Sequence, residues 1–531
     1  MSETQNLTNR LGGMNPFSKH RKHRDEDDVG DDMSFDAVAG GGHSAQIIDA
    51  KKHSLRVSNA LKSFLEHTPA LASLLTKSHI RVPASVVDRS FPLQDYFISS
   101  SHNTYLMAHQ LYGSSNVDAY KVALRAGSRC VEIDAWDHDD NKDEPKVTHG
   151  FTLVSNIAFR TVCEAIRDAV DEETAEAART GGPLLPPSAP VEKDHEGTLY
   201  DAAKHIRLRD LGCKVVVIVE HHLQDERPDS DSSSSSDSSS DSSEDEEEKR
   251  AREEYKKKKK KTKNDKDSKE DGAIIPELAA LGVYAQSVKP GNNSWFDPGE
   301  LINAPHHHLI NVSESGLRQH LPGHRHRIGT HNSKHLMRVY PKGTRISSNN
   351  LKPVPFWGIG AQICAMNWQK FDASMQINEA LFSGTEGYVL KPAALREGAV
   401  GGAAGAGTRK KKLRLHAAGA TDVPSRNKDD ANDVRPYLSC VMVHPDDLKN
   451  EPPKRKTSAY KQRKLDLLRR GENPPASQPI WDEVLEWEYD DNELVFLRML
   501  VKSDDSFARN PILGVASVRL FILVKFDIED A

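Results

Sequence analysis

Two stretches decide the fold of this chain: Phe97-Ile-Ser-Ser-Ser-His-Asn-Thr-Tyr105 and Cys130-Val-Glu-Ile-Asp-Ala-Trp136. Side chains along a strand point alternately to opposite faces, so Glu132 and Asp134 share one face. Two carboxylates on one face repel each other unless a cation lies between them. With the amide oxygen of Asn103 they form the all-oxygen ligand set that calcium or magnesium prefers. The alternative is a pair of solvated carboxylates at a strand end, and the pair alone leaves both interpretations open.

Two histidines accompany these acidic residues. His102 lies at the end of the strand predicted in the first stretch, and His149 follows the short run Pro145-Lys-Val147 beyond the second stretch. Histidine is the side chain whose unperturbed pKa suits proton transfer near neutral pH. A single histidine is more often a packed or surface residue. Two imidazoles, two carboxylates and an amide at successive strand ends together predict an acid/base centre with a bound metal ion.

The order of these motifs resembles that of the eukaryotic phosphoinositide-specific phospholipases C. Runs similar to the family's X region are Ser99-Ser-Ser-His-Asn-Thr-Tyr105, Glu132-Ile-Asp-Ala-Trp-Asp137 and His149-Gly-Phe-Thr152. Runs similar to its Y region are Met337–Gly343, Ser347–Asn349, Phe356–Trp357, Gly360–Gln369 and Gly387–Pro392. The resemblance covers about residues 90–170 and 273–396. Such a long ordered series of motifs is highly specific.

The resemblance implies an α/β TIM-type barrel, split by a disordered linker and followed by an all-β C2-type sandwich. Strands alternate with helical stretches between Leu93 and Arg167, which is typical of a parallel sheet. The expected division is an arm (1–45), a helical remnant (46–90), the X half (91–220, atypical over 171–213), a charged linker (221–272), the Y half (273–396), a Gly/Ala linker (397–410) and a C2-like domain (411–531). The N-terminal segment is too short for the lipid-binding module that the family often carries.

The barrel is predicted to be one strand short. The strands expected from the sequence are Phe97–Ser101, Cys130–Trp136, Val147–His149, Lys214–Glu220, Arg338–Tyr340, Ala361–Asn367 and Gly387–Leu390. A closed barrel of this type needs eight strands. Something between Val170 and Lys214 is therefore lost or rewritten relative to the family.

The strand Lys214–Glu220 has two competing alignments. By its letters it resembles the family's fourth strand, and Glu220 is then a metal ligand. By its position before the linker it matches the fifth strand, which in the family ends in two lysines that hold substrate phosphates. We favour the fifth-strand placement, in which one calcium ligand and both lysines are absent. A catalytically impaired homologue and an incorrectly spliced form of an active enzyme therefore stay open as alternatives.

The resemblance implies a calcium ion held by Asn103, Glu132 and Asp134, with Glu220 as a fourth candidate. The implied reaction is hydrolysis of phosphatidylinositol 4,5-bisphosphate to diacylglycerol and inositol trisphosphate. In that reaction Glu132 or Glu220 removes the proton of the inositol 2-hydroxyl. His102 stabilises the developing charge on phosphorus oxygens.

Four further residues are implied to bind the substrate or to act on the leaving group. His149 is expected to protonate the departing diacylglycerol oxygen. Arg338 is expected to hold a phosphate and Tyr340 to stack on the sugar ring, chemistry that suits a guanidinium and an aromatic face. Asn311 replaces a serine that touches phosphate in the family, and this assignment is weak.

Composition sets the class of protein. The net charge of −6 over 531 residues argues against a general nucleic-acid binder. Five cysteines without a Cys-x-x-Cys pair fit a reducing compartment. No run of eighteen apolar residues and no signal-type core exist, so a cytoplasmic monomer that binds phosphoinositide membranes peripherally is expected. A protein activator cannot be read from the sequence.

Four smaller predictions complete the analysis. The Ser/Asp tract 230–243 and the lysines 256–261 predict a disordered linker, for which autoinhibition over the active site is a hypothesis. His306–His308 is interpreted as a loop and not a metal site. Phe356–Trp357 is assigned equally to a lipid-facing rim or to the core. The C2-like domain keeps few of the usual acidic positions (Asp433, Asp504 and Asp505), so weak or absent calcium binding is expected there.

Overall fold

The structure is a computed structural model of the 531-residue chain. It describes residues 31–32, 57–67, 82–107, 109–138, 141, 143–150, 152–180, 205–212, 214–221, 275–288, 294–297, 299–301, 304–343, 345, 347–397, 409–424, 434–449, 451–462, 473–504 and 512–522. Most of the predicted arm and of both predicted linkers lies outside these residues, and so does the autoinhibition hypothesis. Two of the C2 acidic positions, Asp433 and Asp505, also lie outside them.

Six parallel strands form the central sheet. In chain order they are β1 (Tyr96–Ser101), β2 (Val219–His221), β3 (Gln286–Val288), β4 (His308–Ser313), β5 (Leu336–Tyr340) and β6 (Ile363–Met366). Across the sheet they lie in the order β1-β6-β5-β4-β3-β2. All six residues of β1 are buried, as expected of a parallel sheet that is covered on both faces. The X half supplies both outer strands of this series, so the two halves of the barrel interlock.

Two of the predicted barrel strands have a different role. Lys146–Val147 pairs antiparallel with Ala135–Trp136 and with Ile157–Ala158 in a small separate sheet. The prediction of Val147–His149 as a barrel strand is therefore wrong. β7 (Tyr388–Leu390) pairs antiparallel with β1, so the prediction of Gly387–Leu390 as a parallel strand is also wrong.

The predicted strand Cys130–Trp136 is regular only at its end. Cys130 makes a single parallel bridge to Ser100 of β1, and only Ala135–Trp136 forms a strand. The intervening residues keep their place beside β1 through side-chain hydrogen bonds. Glu132 N, for example, donates to Thr104 Oγ1 at 3.0 Å.

Two strands of the central sheet were not predicted. β3 is only three residues long, and β4 begins at His308, within the run that was interpreted as a loop. His308 is buried, so the loop interpretation is wrong for this residue. The apolar run that follows it, Leu309-Ile310, lies in the core and explains why β4 starts there.

The position of β2 bears on the competing alignments. β2 pairs in parallel with β3, the first strand of the Y half. This position agrees with the fifth-strand placement of Lys214–Glu220. A closed barrel needs a further strand in space between β2 and the Cys130 segment. None of the described strands occupies this position in the central sheet.

The described residues form nine α-helices. They are α1 (Asn59–His67), α2 (Asp118–Arg125), α3 (Phe159–Thr180), α4 (Leu208–Leu211), α5 (Pro276–Ala279), α6 (Glu314–Arg318), α7 (Leu321–Asn332), α8 (Val354–Trp357) and α9 (Ala373–Phe382). Short 3-10 helices lie at Ala84–Val86, Leu93–Asp95, Ala393–Leu395 and Leu520–Ile522. Side-chain caps start two of the helices: Ser313 Oγ accepts from Gly316 N, and Asp372 Oδ1 accepts from Met375 N at 3.0 Å. No helix of the described chain is long and apolar enough to cross a membrane.

The C-terminal part is a sandwich of two antiparallel sheets. One sheet consists of β8 (Lys410–Gly419) and β11 (Ile480–Asp490). The other has the order β10 (Lys454–Lys456), β9 (Pro436–Val443), β12 (Phe496–Ser503), β13 (Ile512–Arg519). Residues of both sheets of the sandwich, such as Trp487 and Leu497, share one apolar cluster.

Two pairs of two-residue strands belong to neither the central sheet nor the sandwich. They join Asp31–Asp32 to Lys370–Phe371 and Tyr112–Gly113 to Leu153–Val154.

The sandwich is joined to the barrel through a buried contact. Phe496 of β12 belongs to the same apolar cluster as Trp357 of α8, and their ring centroids are 5.8 Å apart. Arg498 Nε donates to Gln376 Oε1 at 2.6 Å across the same boundary. Phe356 and Trp357 are 0% and 1% exposed. Of the two assignments for this pair, the core is correct and the lipid-facing rim is wrong.

Trp357→Ala is expected to lower the free energy of unfolding by about 3–5 kcal/mol, because the truncation leaves a cavity between barrel and sandwich. The measurement is the midpoint of urea or thermal unfolding of the full chain. Phe521→Ala is the control, since Phe521 is 43% exposed and its truncation is expected to change stability by less than about 0.5 kcal/mol. Equal effects of the two substitutions would contradict the prediction.

Candidate active site

A cavity of about 240 Å³ opens at the C-terminal ends of the parallel strands. The cavity is lined by His102, Asn103, Gln110, Glu132, Asp134, His149, Asn311, Arg338, Tyr340, Pro341, Lys342, Gly343, Arg345 and Asn367. Every site residue predicted from the sequence, except Glu220, is among them. Ligands of TIM-type barrels bind at this end of the strands.

The turn after β1 brings Asn103 to Glu132. Asn103 has a φ of 43°, a left-handed conformation that asparagine tolerates better than most residues. The turn directs its backbone N–H to Glu132 Oε2 at 2.8 Å. Its side-chain Nδ2 donates to Gln110 Oε1 at 2.8 Å. The amide group is therefore oriented by its nitrogen, and its oxygen stays available as a ligand.

Asp134 is the second carboxylate of the cavity. Tyr105 OH donates to Asp134 Oδ2 at 2.5 Å. Burial and the neighbouring charge of Glu132 raise the pKa of Asp134 to about 7, although the Tyr105 hydrogen bond and Arg338 oppose this shift. A carboxylate that burial and a like charge hold partly protonated gains strongly from a nearby cation.

Glu132 carries its negative charge inside the cavity. Burial opposes its ionisation, but the positive charge of Arg338 and the neighbouring His102 outweigh burial and hold its pKa below the usual range. Arg338 Nη2 lies 2.6 Å from Glu132 Oε2. The side chains of Arg338 and Glu132 are only 10% and 24% exposed, so each charge depends on the other for stabilisation.

These donors fit a hard divalent cation. Two carboxylates and an amide oxygen from Asn103, Glu132 and Asp134 are the ligand chemistry that calcium and magnesium prefer. The raised pKa of Asp134 is the second observation in favour, because a cation between the carboxylates removes their mutual repulsion. Three protein ligands leave room for water and substrate oxygens.

His102 is held by a residue from the other half of the barrel. Its Nδ1 lies 2.8 Å from Asn367 Oδ1, and Asn367 follows β6. An amide oxygen accepts, so Nδ1 carries the proton in the neutral ring. Nε2 is then the nitrogen left without a proton. Burial lowers the pKa of His102, although Glu132 opposes this shift.

His149 is oriented through its backbone neighbours. Its Nδ1 hydrogen bonds to the carbonyl oxygen of Gln110, which leaves Nε2 for proton exchange. A Cβ atom on Gly150 would lie 2.0 Å from the ring of Trp136, so glycine lets this ring pack directly on the backbone next to His149. Burial lowers the pKa of His149.

Arg338 carries the positive charge on one side of the cavity, and Asn311 and Tyr340 lie against its guanidinium. Arg338 Nη1 donates to Asn311 Oδ1 at 3.0 Å, and the Arg338 guanidinium lies 5.6 Å from the ring centroid of Tyr340. The neighbouring strands β4 and β5 place Asn311 directly opposite Arg338 in register. An arginine fork and an aromatic ring in one cavity suit a phosphorylated sugar.

Sequence reasoning missed several lining residues. Gln110 donates through Nε2 to Ser348 Oγ at 2.9 Å and to Asn367 Oδ1 at 3.3 Å. Lys342 and Arg345 add positive charge, and Arg345 is paired with Glu314. These residues lie in loops without periodicity. The one signal in the sequence is that Lys342 and Arg345 follow the Arg338 motif closely in the chain.

Glu220, the fourth candidate ligand, is described only in its backbone. It belongs to β2 and pairs with Ser287 of β3, and its side chain lies outside what the structure describes. The roles of Glu220 as a fourth ligand or as the base therefore stay predictions.

Comparison with known families places three domains on the chain. Residues 89–177 match "Phosphatidylinositol-specific phospholipase C, X domain", and residues 278–394 match the Y domain of the same name. Residues 411–525 match the C2 domain. With a barrel whose site lies at the strand ends and a C-terminal sandwich, the chain belongs to the phosphoinositide-specific phospholipase C family.

Individual relatives agree with this placement. The chain is 34% identical to "1-phosphatidylinositol 4,5-bisphosphate phosphodiesterase 1" of Candida albicans over 67% of its length, and 29% identical to the delta-3 phosphodiesterase of Mus musculus over 89%. It spans 37% and 58% of these two relatives. The crystal structure of L. pealei PLC21 matches 89% of the chain and 60% of its own length, with a TM-score of 0.58 and 22% identity. This structural likeness shows the fold.

Proposed function

We propose that this protein hydrolyses phosphatidylinositol 4,5-bisphosphate to diacylglycerol and inositol trisphosphate in a calcium-dependent reaction. The observation that carries the proposal is one cavity that holds two half-buried imidazoles, two carboxylates and a phosphate-suited arginine. The names of the relatives, which are phosphatidylinositol bisphosphate phosphodiesterases, support the same substrate class.

The proposed proton transfers use three side chains. Glu132, ionised and buried, accepts the proton of the inositol 2-hydroxyl. His149, in its imidazolium form with protons on both ring nitrogens, donates the Nε2 proton to the departing glycerol oxygen, which would otherwise leave as an alkoxide. His102, in its imidazolium form with a second proton on Nε2, donates a hydrogen bond to the oxygens that gain charge at phosphorus. Water then opens the cyclic phosphodiester.

The remaining residues bind and orient. Asn103, Glu132 and Asp134 would hold calcium, which when bound would lower the pKa of the attacking hydroxyl and offset phosphoryl charge. Arg338 would hold a phosphate and Tyr340 would cover the sugar ring, with Asn311 orienting the guanidinium. We further propose that the protein works as a monomer at the surface of phosphoinositide membranes in the cytoplasm.

The test is release of labelled inositol phosphates from vesicles that contain phosphatidylinositol 4,5-bisphosphate, with calcium and with chelator. Release that requires both calcium and the intact chain supports the proposal. The absence of release at any calcium concentration, together with tight vesicle binding, would reject it.

That second outcome defines the other candidate function, a phosphoinositide-binding protein without turnover. It is favoured by one observation: no described strand closes the barrel between β2 and the Cys130 segment. An incorrectly spliced form of an active enzyme would lack the same strand. Sequencing the transcript across Val170–Lys214 separates these two explanations, because a longer exon there would supply the strand.

Calcium affinity is expected to depend on pH. Asp134 must lose its proton before it binds calcium, and its pKa is raised to about 7. Affinity therefore rises with pH, and it should be about 10-fold weaker at pH 6 than at pH 8. The measurement is calorimetric titration of the metal-free chain with calcium. Equal affinity at both values, or tighter binding at pH 6, would contradict the prediction.

A further inference from the structure

A second cluster of polar side chains lies at the opposite end of the parallel strands. His306 and His307 directly precede β4, and His335 directly precedes β5. Both strands run from this cluster toward the cavity that holds Asn311. His205 joins the cluster from the X half, just before α4. The cluster therefore lies at the N-terminal ends of the strands and brings both halves of the barrel together.

Three of these histidines are close enough to share a ligand. One nitrogen of each of His205, His306 and His307 lies within 4.8 Å of the others. The ring centroids of His205 and His306 are 4.6 Å apart, and those of His205 and His307 are 5.6 Å apart. Tetrahedral zinc with bonds of about 2.0–2.1 Å needs nitrogen atoms roughly 3.3 Å apart. His306 is exposed, so its ring can turn to close this difference.

The space between the rings matches a single small ion. The cleft that the cluster lines has a volume of about 10 Å³, near the roughly 10–15 Å³ that one water molecule needs. Among the described residues no carboxylate lines this cleft, and the imidazole ligands present suit calcium or magnesium poorly. Neutral imidazole nitrogen is a ligand for zinc, copper and nickel.

The chemical state of the rings is compatible with such a ligand role. Burial, reinforced by the neighbouring histidines, lowers the pKa of His205 to about 4. At neutral pH the ring is therefore uncharged and keeps a free lone pair. His335, whose ring centroid is 6.0 Å from that of His205, has a buried Nδ1 with no hydrogen-bond partner among the described residues.

We propose that His205, His306 and His307 bind one zinc ion, with a water molecule as the fourth ligand, at the end of the barrel opposite the active cavity. The ion would tie a described segment of the X half, His205–Gly212, to the Y half. This segment lies within the stretch 171–213 that departs from the family, and its attachment otherwise rests on contacts such as Leu93 N to Ile206 O at 2.9 Å. The function of the ion is therefore structural.

The experiment compares zinc binding and thermal unfolding of the full chain after removal of metals. The variants are His205→Ala and the double variant His306→Ala/His307→Ala. The control is His326→Ala, because His326 is an exposed histidine of α7 outside the cluster. The probe is zinc chloride alone, with bound metal counted by mass spectrometry after dialysis. Cobalt(II) serves as a spectroscopic substitute, because its visible absorption reports tetrahedral coordination.

The control and the unchanged chain are expected to hold one more zinc ion per chain than either cluster variant. Zinc at about 100 times its dissociation constant should raise Tm by about 3–5 °C in the unchanged chain, and this rise should be lost in the cluster variants. Counting by difference removes binding elsewhere, including at the active histidines. Equal zinc content and equal Tm shifts in cluster and control variants would show that the cluster is a packed stack of rings only. If one variant does not fold, the other variant and the cobalt spectrum of the unchanged chain decide.

Discussion

Replacement of His149 by alanine is expected to lower calcium-dependent hydrolysis of phosphatidylinositol 4,5-bisphosphate by about 10²–10⁴-fold, the usual contribution of a general acid. The glycerol oxygen is a poor leaving group, because without a proton it departs as an alkoxide. The imidazolium form of His149 supplies this proton from Nε2, since Nδ1–H is bonded to the carbonyl oxygen of Gln110. The measurement is initial rate on vesicles at saturating calcium.

A second substrate separates proton donation from a structural effect. An inositol phosphodiester with a nitrophenol leaving group needs no protonation, because nitrophenolate is stable in water. His149→Ala should therefore cleave it almost as fast as the unchanged chain. His326→Ala is the control and should leave both rates unchanged. An equal loss on both substrates would contradict the acid role and would indicate a misplaced cavity wall instead.

Glu132→Gln is expected to reduce hydrolysis by at least about 10³-fold, because one substitution removes both a proton acceptor and a calcium ligand. Glutamine has almost the same shape, and its side-chain oxygen can still accept the Asn103 N–H that Glu132 Oε2 accepts at 2.8 Å. The fold should therefore persist. Removal of the charge also leaves Arg338 without its ion pair, which is expected to cost stability in a buried site.

Two measurements test this substitution. Calorimetric titration should show calcium binding weakened by about 10-fold or more, and hydrolysis should stay low even when calcium is raised to compensate. Glu488→Gln, an exposed position on β11, is the control and should match the unchanged chain. Full recovery of the rate at high calcium would mean that Glu132 binds the metal but is not the base.

Short sequence motifs predicted the site better than the strands around it. His102, Asn103, Glu132 and Asp134 were found because residue types and spacing carry chemistry. Their shared face was inferred from strand alternation, although in the structure the segment that contains Glu132 is not a regular strand. Hydrogen bonds from the turn after β1, such as Asn103 N to Glu132, do the positioning.

The parts that could not be predicted depend on long-range contacts. Gln110 and Asn367 are 257 residues apart in the chain and meet only through the folded barrel. The histidines of the second cluster show the same limit. His306 and His307 were read as a loop because no ligand follows them at regular spacing, whereas His205 lies in the other half of the barrel.

The joint between barrel and C2 domain has a consequence for protein engineering. Phe496 and Arg498 of β12 reach into the barrel, where they meet Trp357 and Gln376. Grafting the C2 domain of another protein onto this chain would sever both contacts unless the donor carries a matching aromatic residue and guanidinium. A chimera should therefore keep this contact intact. The barrel and the C2 domain should be taken together from the same protein.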